Sequence, residues 1–291
     1  MALPLFPPTE DPGPDFSSLL RRSGLPAMTS GAEGADVTRS VRHATTVVAL
    51  RFADGIVMAG DRRATEGHSI AHRAIEKVFP ADRYSAVAIA GAAGFAVEMV
   101  RLFQTQLEHY EKVEGVTLSL EGKANQLAQM VRQQLPLAMQ GLAVVPLFAG
   151  YDTGRAAGRI FSYDVTGGHY EEADYQATGS GGRDARTTIK LGFREGLSRS
   201  EAVELAIQAL YEAADEDSGT GGPDVVRGIY PTVAVVTADG YMEVTEQEVA
   251  DRFSALIDRK RSAREGTGGG KGAGGGKGAG GGGGSGGGEP S

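Results

Sequence analysis

The 291-residue chain contains no cysteine and no tryptophan, and its apolar runs are short. Without cysteine there is no disulfide scaffold, thiol nucleophile, cysteine zinc site or iron–sulfur cluster. Runs such as 141–150 fall well below the roughly 20 apolar residues that span a bilayer, so no integral membrane role is expected. The first 14 residues hold five prolines and no Lys or Arg. They lack the basic-then-apolar pattern of an export signal, and the cytoplasm is the expected location. Positive charge is also scarce, with 29 Lys and Arg against 37 Asp and Glu, a net −8. Phosphate backbones are bound by basic clusters, so nucleic acid is not an expected partner.

Glycine is plentiful but displaced: of 44, 17 lie in residues 266–291, while six of the 12 prolines lie in residues 1–26. The composition therefore divides the chain into a leader, 1–44, without sustained periodicity, a domain, 45–264, long enough to bury one core, and a disordered Gly-rich tail, 265–291.

Within the central part, the β-branched run from Thr45 meets a second apolar run across Asp54-Gly55, a strong hairpin signal. A strand is expected over 83–91. Helical spacing of apolar residues marks 95–112 and 120–139. Strands follow over 141–151, 159–164 and 169–177, then helices over 183–193 and 201–214. The second of these enters through the capping-box pattern Ser198-Arg-Ser-Glu201. Strands over 230–237 and 241–245 and a helix over 246–260 close the core. Strand blocks with internal hairpins alternate with helix pairs. This order predicts an α+β fold, a four-layer αββα sandwich of two antiparallel sheets flanked by helices.

Several chemistries find no support. The segment Gly179-Ser-Gly-Gly-Arg-Asp184 is not a dinucleotide loop, because Asp184 falls where the third glycine belongs and would repel pyrophosphate. There is no phosphate-binding G-x-x-x-x-G-K-[ST] loop and no G-x-S-x-G elbow. His68 and His72 are four apart without a surrounding carboxylate motif, so no metal and no cofactor are expected.

The junction at Thr45 remains. A threonine serves as a nucleophile without a histidine when it is the first residue, its own α-amino group acting as base. That amine titrates near pH 7.7–8.0 in model compounds, roughly neutral. This chemistry requires removal of residues 1–44. On spacing alone, an ordinary Thr-Thr strand start after a polar leader accounts for the same residues. Nearby, Asp61-Arg62-Arg63 interrupts apolar sequence, and Lys77 sits between Ile75 and Val78-Phe79. A lysine so placed stays cationic through Asp61 and lowers the pKa of a neighbouring hydroxyl.

The segments Thr45-Thr-Val-Val-Ala-Leu50, Val57-Met-Ala-Gly-Asp-Arg-Arg-Ala-Thr65, Lys77-Val, Ile89-Ala-Gly91, Ala177-Thr-Gly-Ser-Gly181 and Asp217-Ser-Gly-Thr220 together resemble the β-type subunits of the 20S proteasome, an N-terminal-nucleophile hydrolase family. Asp61, Lys77 and Gly91 lie 16, 32 and 46 residues after Thr45, as in that family. The stretches 221–231 and 107–115 resemble its actinobacterial branch.

The resemblance implies a threonine endopeptidase. Thr45 would be nucleophile and proton acceptor, Asp61 and Lys77 its charge pair, and the Gly91 N–H the oxyanion donor. Ser180, Asp217 and Ser218 would surround the Thr45 amine, and Arg63 would support Asp61. Thr65 would pair its backbone with the substrate. Ala64, Ile75, Phe79, Ile89, Ala93 and Val97 would line the first specificity pocket and select hydrophobic residues. Cleavage between Ala44 and Thr45 would mature the enzyme, although the family usually has Gly at the position of Ala44. The resemblance further implies α7β7β7α7 assembly with α subunits and other β subunits, a ring ATPase, and unfolded or tagged protein substrates. Two alternatives are a non-catalytic structural β subunit and the simpler two-component bacterial protease of related fold.

Overall fold

The computed structural model describes residues 45–66 and 69–268. The leader with Ala44, His68 and residues 269–291 therefore lie outside the described residues.

Strand β1 (Thr46–Phe52) turns through Ala53-Asp54 directly into β2 (Gly55–Gly60), pairing antiparallel from Phe52↔Gly55 to Val47↔Gly60. A short ribbon, β3 (Ala64–Glu66) and β4 (Ser69–His72), and strand β5 (Val78–Asp82) follow, none of them anticipated from the sequence. Next come β6 (Ser85–Gly91), helix α1 (Ala93–Glu114) and helix α2 (Leu120–Gln133). Gly115 ends α1 in the left-handed conformation, and Ser119 caps α2 by accepting from the Gly122 N–H at 3.1 Å.

The helix expected over 120–139 is divided. It breaks at Gln134, and a single turn, α3 (Leu135–Ala138), carries Pro136, which has no N–H to continue the ladder. Then come β7 (Val144–Asp152), β8 (Ala157–Tyr163), β9 (His169–Glu172) and β10 (Tyr175–Gly179). Helices α4 (Gly182–Gly192) and α5 (Arg199–Glu216) precede β11 (Thr232–Thr237), β12 (Gly240–Glu243) and helix α6 (Glu246–Gly268).

The strand expected over 169–177 is two strands in different sheets. One sheet has the order β10-β1-β2-β11-β12 and the other β5-β6-β7-β8-β9. The chain changes sheet at Ala173-Asp174, whose carbonyls accept from Arg51 Nη1 and the Arg51 N–H, each at 2.8 Å.

Alternation along the strands builds the layers. Val48, Leu50, Val57 and Ala59 face outward onto Ala185, Ile189, Val203, Ala206, Leu210 and Phe253 of α4, α5 and α6. Val47, Ala49, Ile56 and Met58 face inward against Ala86, Ala88, Leu147 and Ile160 of the second sheet. That sheet's other face packs Val87, Ile89, Phe148 and Phe161 against Phe103, Leu107, Leu127 and Val131 of α1 and α2. The result is the αββα sandwich. The Ser198–Glu201 capping box is present, each side chain bonding the other residue's backbone N–H. Helix α6 continues past Lys260 to Gly268. The good helix formers from Arg259 to Glu265 carry it there, beyond the boundary at 264 that composition suggests.

Candidate active site

Thr45 immediately precedes β1, and strand alternation gives it and Thr46 opposite faces. Thr45 shares the inward parity of Val47 and Ala49, and Thr46 the outward parity of Val48 and Leu50. Both are buried, at 5% and 0% exposure.

The Thr46 hydroxyl is fully committed. It accepts from the Gly181 N–H at 3.0 Å and lies 2.6 Å from the Thr220 hydroxyl. Thr220 donates its proton to Asp217 Oδ2 at 2.6 Å, so Thr46 is the donor to Thr220. A continuous chain runs from Gly181 through Thr46 and Thr220 to Asp217. Thr46 is therefore a structural hydroxyl with no remaining proton to give.

Thr45 lies on the other side of this network. Its nitrogen donates to Ser180 Oγ at 3.3 Å. Ser180 Oγ is 2.5 Å from Asp217 Oδ2 and 3.4 Å from the Thr45 carbonyl oxygen, so its single proton goes to Asp217 and a lone pair is left for Thr45. The Ser180 N–H also grips the Thr45 carbonyl, at 2.8 Å. Burial disfavours the Asp217 charge, but hydrogen bonds from the Ser180 and Thr220 hydroxyls and the Gly219 and Thr220 N–H groups outweigh it and hold Asp217 below its ordinary value. Gly179 makes this close approach possible: its φ is +101°, and a Cβ there would lie 1.8 Å from the Thr45 carbonyl oxygen.

Asp61, at the end of β2, has no exposed surface and every acceptor position filled. Oδ1 receives the Thr46 N–H at 2.8 Å and Lys77 Nζ at 2.6 Å. Oδ2 receives the N–H groups of Arg63 at 2.9 Å and Gly221 at 2.8 Å. Lys77, 5% exposed, also donates to the Arg63 carbonyl at 2.6 Å. Burial pushes the Lys77 ammonium below its ordinary value, against the opposing pull of the Asp61 carboxylate. Arg63 supports the pair with its own backbone, while its Nη1 donates to the Ser218 carbonyl at 3.1 Å. Ser218 thus contributes a carbonyl; its exposed hydroxyl makes no hydrogen bond among the described residues.

Thr45, Lys77 and Gly91 line one cavity. All six residues expected in the specificity pocket line it: Ala64, Ile75, Phe79, Ile89, Ala93 and Val97. Ala96 and Glu76 line it too, so the wall is not wholly apolar as the sequence reading expected. Gly91 closes β6 with φ +123°, and a Cβ there would meet the Ala143 carbonyl oxygen at 2.1 Å. Thr65 sits buried in β3, opposite Ile70. Ala44 lies outside the described residues. The spacings to Asp61 and Lys77 favour Thr45 over its neighbour Thr46 as nucleophile, but the structural role of Thr46, and any role of Thr220, Gly221 and Glu76, was not evident from the sequence. The alternation of β1 was the available signal for Thr46, and nothing local marked Gly221 or Glu76.

The profile of the proteasome subunit family matches residues 41–227. The chain is 62% identical over 267 residues to the proteasome subunit beta of Acidimicrobium ferrooxidans, covering 91% of this chain and 97% of that protein. It is 58% identical over 224 residues to the proteasome subunit beta of Streptomyces griseus, covering 77% of this chain and 80% of the relative. It is 55% identical over 245 residues to that of Frankia casuarinae, covering 83% and 89%. With a family match over more than half its length and β-type relatives aligned over at least three quarters of both chains, the chain belongs to the proteasome subunit family, in its β-type branch.

Proposed function

We propose that the chain is a threonine endopeptidase, made as a precursor and activated when residues 1–44 are removed to leave Thr45 at the N-terminus. The observation that carries this reading is the buried Asp61–Lys77 pair, 2.6 Å apart, beside Thr45, which lines the mostly apolar cavity.

In the full-length chain the Thr45 nitrogen is an amide and has no basicity. Cleavage after Ala44 converts it to an amine beside Ser180 and Asp217. The Thr45 hydroxyl then attacks a substrate carbonyl, its proton passing to that amine, while the Lys77 ammonium lowers the pKa of the hydroxyl. The Gly91 N–H receives the developing oxyanion, a contribution of roughly 3–4 kcal/mol for comparable donors. The amine then gives its proton to the leaving amine of the substrate, and an acyl ester remains on Thr45. Water activated by the amine hydrolyses this ester. Having nucleophile and base on one residue removes most of the entropy cost of positioning them. Thr65 pairs its backbone with the substrate as an added strand.

In this reading the β subunit works within an α7β7β7α7 particle served by a ring ATPase, degrading unfolded or tagged proteins in the cytoplasm. The test is hydrolysis of fluorogenic peptides by particles co-expressed with α subunits. Wild type and Thr45→Ser cleave peptides with a hydrophobic residue before the scissile bond, and Thr45→Ala does not. Unchanged activity in assembled Thr45→Ala particles overturns the assignment.

A further inference from the structure

A second cavity, open to solvent, is lined by three arginines, Arg62, Arg63 and Arg73, and shares no lining residue with the Thr45 pocket. In a chain of net charge −8 this local surplus is notable. Among the described residues the only carboxylate lining the cavity is Asp224, which accepts from Arg227 Nη1 at Oδ2, at 2.7 Å, and also feels the charge of Arg73, so three arginines face one carboxylate already bonded elsewhere. Among the described residues neither Arg63 nor Arg73 has a carboxylate within 4.0 Å, and Arg62 has only the highly exposed Glu246, at that limit. Arg62 is held by the carbonyls of Ala74 and Ile75, and Arg63 by that of Ser218. These bonds anchor the Arg62 guanidinium at two nitrogens and that of Arg63 at one, while leaving most of their ten N–H donors unused.

We propose that this cavity binds an oxyanion, specifically a carboxylate carried by another polypeptide. Fixed guanidinium forks suit planar oxyanions, which they hold by paired, charge-assisted hydrogen bonds. The polypeptide source follows from the adjoining loop. Val225 and Val226, 64% and 95% exposed, project from the segment that also supplies Gly221 and Asp224 to the cavity. Apolar side chains beside a cationic pocket fit a partner chain that presents an acid from an apolar surface. Inorganic phosphate offers the same chemistry without those apolar contacts.

The site is directly connected to the catalytic charge pair. Gly221, on the cavity wall, donates to Asp61 Oδ2, and the backbone of Arg63 contacts both Asp61 and Lys77. A bound carboxylate braces Arg63 and so fixes the frame in which Lys77 sits. The binding claim is independent of the proposed peptidase activity, and its test reads binding alone.

The purified full-length chain is titrated calorimetrically with a tetraglutamate peptide and, separately, with inorganic phosphate, chloride keeping the ionic strength constant. Tetraglutamate is expected to bind saturably. Arg73→Gln and Arg62→Gln each weaken binding about tenfold, the scale of a lost charge-assisted contact. Arg73→Lys recovers part of it, and Arg101→Gln, on the exposed face of α1, leaves it unchanged. Saturable phosphate binding without tetraglutamate binding overturns the polypeptide source while leaving an anion pocket. No saturable binding of either probe, or binding indifferent to both Arg62→Gln and Arg73→Gln, overturns the proposal.

Discussion

Lys77 illustrates how far one side chain depends on its setting. Its ammonium sits 2.6 Å from both Asp61 Oδ1 and the Arg63 carbonyl. Removing Asp61 leaves a buried cation without its counter-charge, an effect of about 3–5 kcal/mol in comparable pairs. Asp61→Ala is accordingly expected to abolish peptide hydrolysis and lower the thermal midpoint, whereas Lys77→Met loses activity with the smaller stability cost. The sign of the pH effect follows from burial, which lowers the Lys77 pKa. The folded chain binds this proton less tightly than the unfolded chain. Between the folded and ordinary lysine values, rising pH therefore improves the contribution of Lys77 to stability. Activity moves the other way, falling in alkali before an ordinary lysine would titrate. On the acid side the rate rises through roughly pH 7–8 as the Thr45 amine loses its proton. A pH–rate profile of mature particles beside denaturation midpoints of Lys77→Met checks both signs.

Two further residues separate competing readings at this scale. Thr46→Val keeps the shape of the side chain but strands the Gly181 N–H, costing about 1–3 kcal/mol. Activity should fall yet persist; complete loss with intact folding would make Thr46 the nucleophile. Glu76 places one carboxylate on the wall of a mostly apolar pocket. Glu76→Lys should lower kcat/KM for peptides with Arg before the scissile bond by about two- to tenfold relative to Leu, the scale of exposed charge pairs. An unchanged ratio would show that Glu76 does not read the substrate.

Among the secondary-structure elements, those that are regular along the sequence were legible. The β1–β2 hairpin announced itself by two apolar runs around Asp54-Gly55, and α1, α2, α4 and α5 by helical spacing. The sheet change between β9 and β10 was not legible, because 169–177 has continuous strand character. What divides it is long-range: Arg51, on β1, captures the carbonyls of Ala173 and Asp174. The ribbon β3–β4 and strand β5 were missed for the opposite reason, being only three to five residues long, with β4 exposed throughout and little periodicity to read. The capping box at Ser198 gives this scale its own test. Ser198→Ala should destabilise by about 1 kcal/mol, lowering the thermal midpoint by about 2–4 °C in a domain of this size, with hydrolysis unaffected. A larger loss would mean that the start of α5 bears on the site at its other end, where Asp217 follows the helix.

For the whole molecule, the αββα sandwich accounts for how residues distant in sequence meet. The inner faces of the two sheets pack on each other, and the pocket opens where β1, β2, β5 and β6 end near the start of α1. Thr45, Asp61, Lys77 and Gly91 were legible because each sits at or beside a strand end, in segments that match the family in kind and spacing. Thr220 and Gly221 were less so, since their roles arise only when the loop after α5 folds back onto Thr46 and Asp61. Large exposed apolar residues, including Leu191 and Met139 at 83% and 76%, fit a chain that buries further surface in an assembly.

If the working enzyme begins at Thr45, N-terminal sequencing and intact-mass measurement of the β chain, purified after co-expression with α subunits, will show it. The expected result is a β chain whose first residue is Thr45 in wild-type particles, and an uncleaved leader in Thr45→Ala. Active particles that retain residues 1–44, or that begin at any residue other than Thr45, would contradict it.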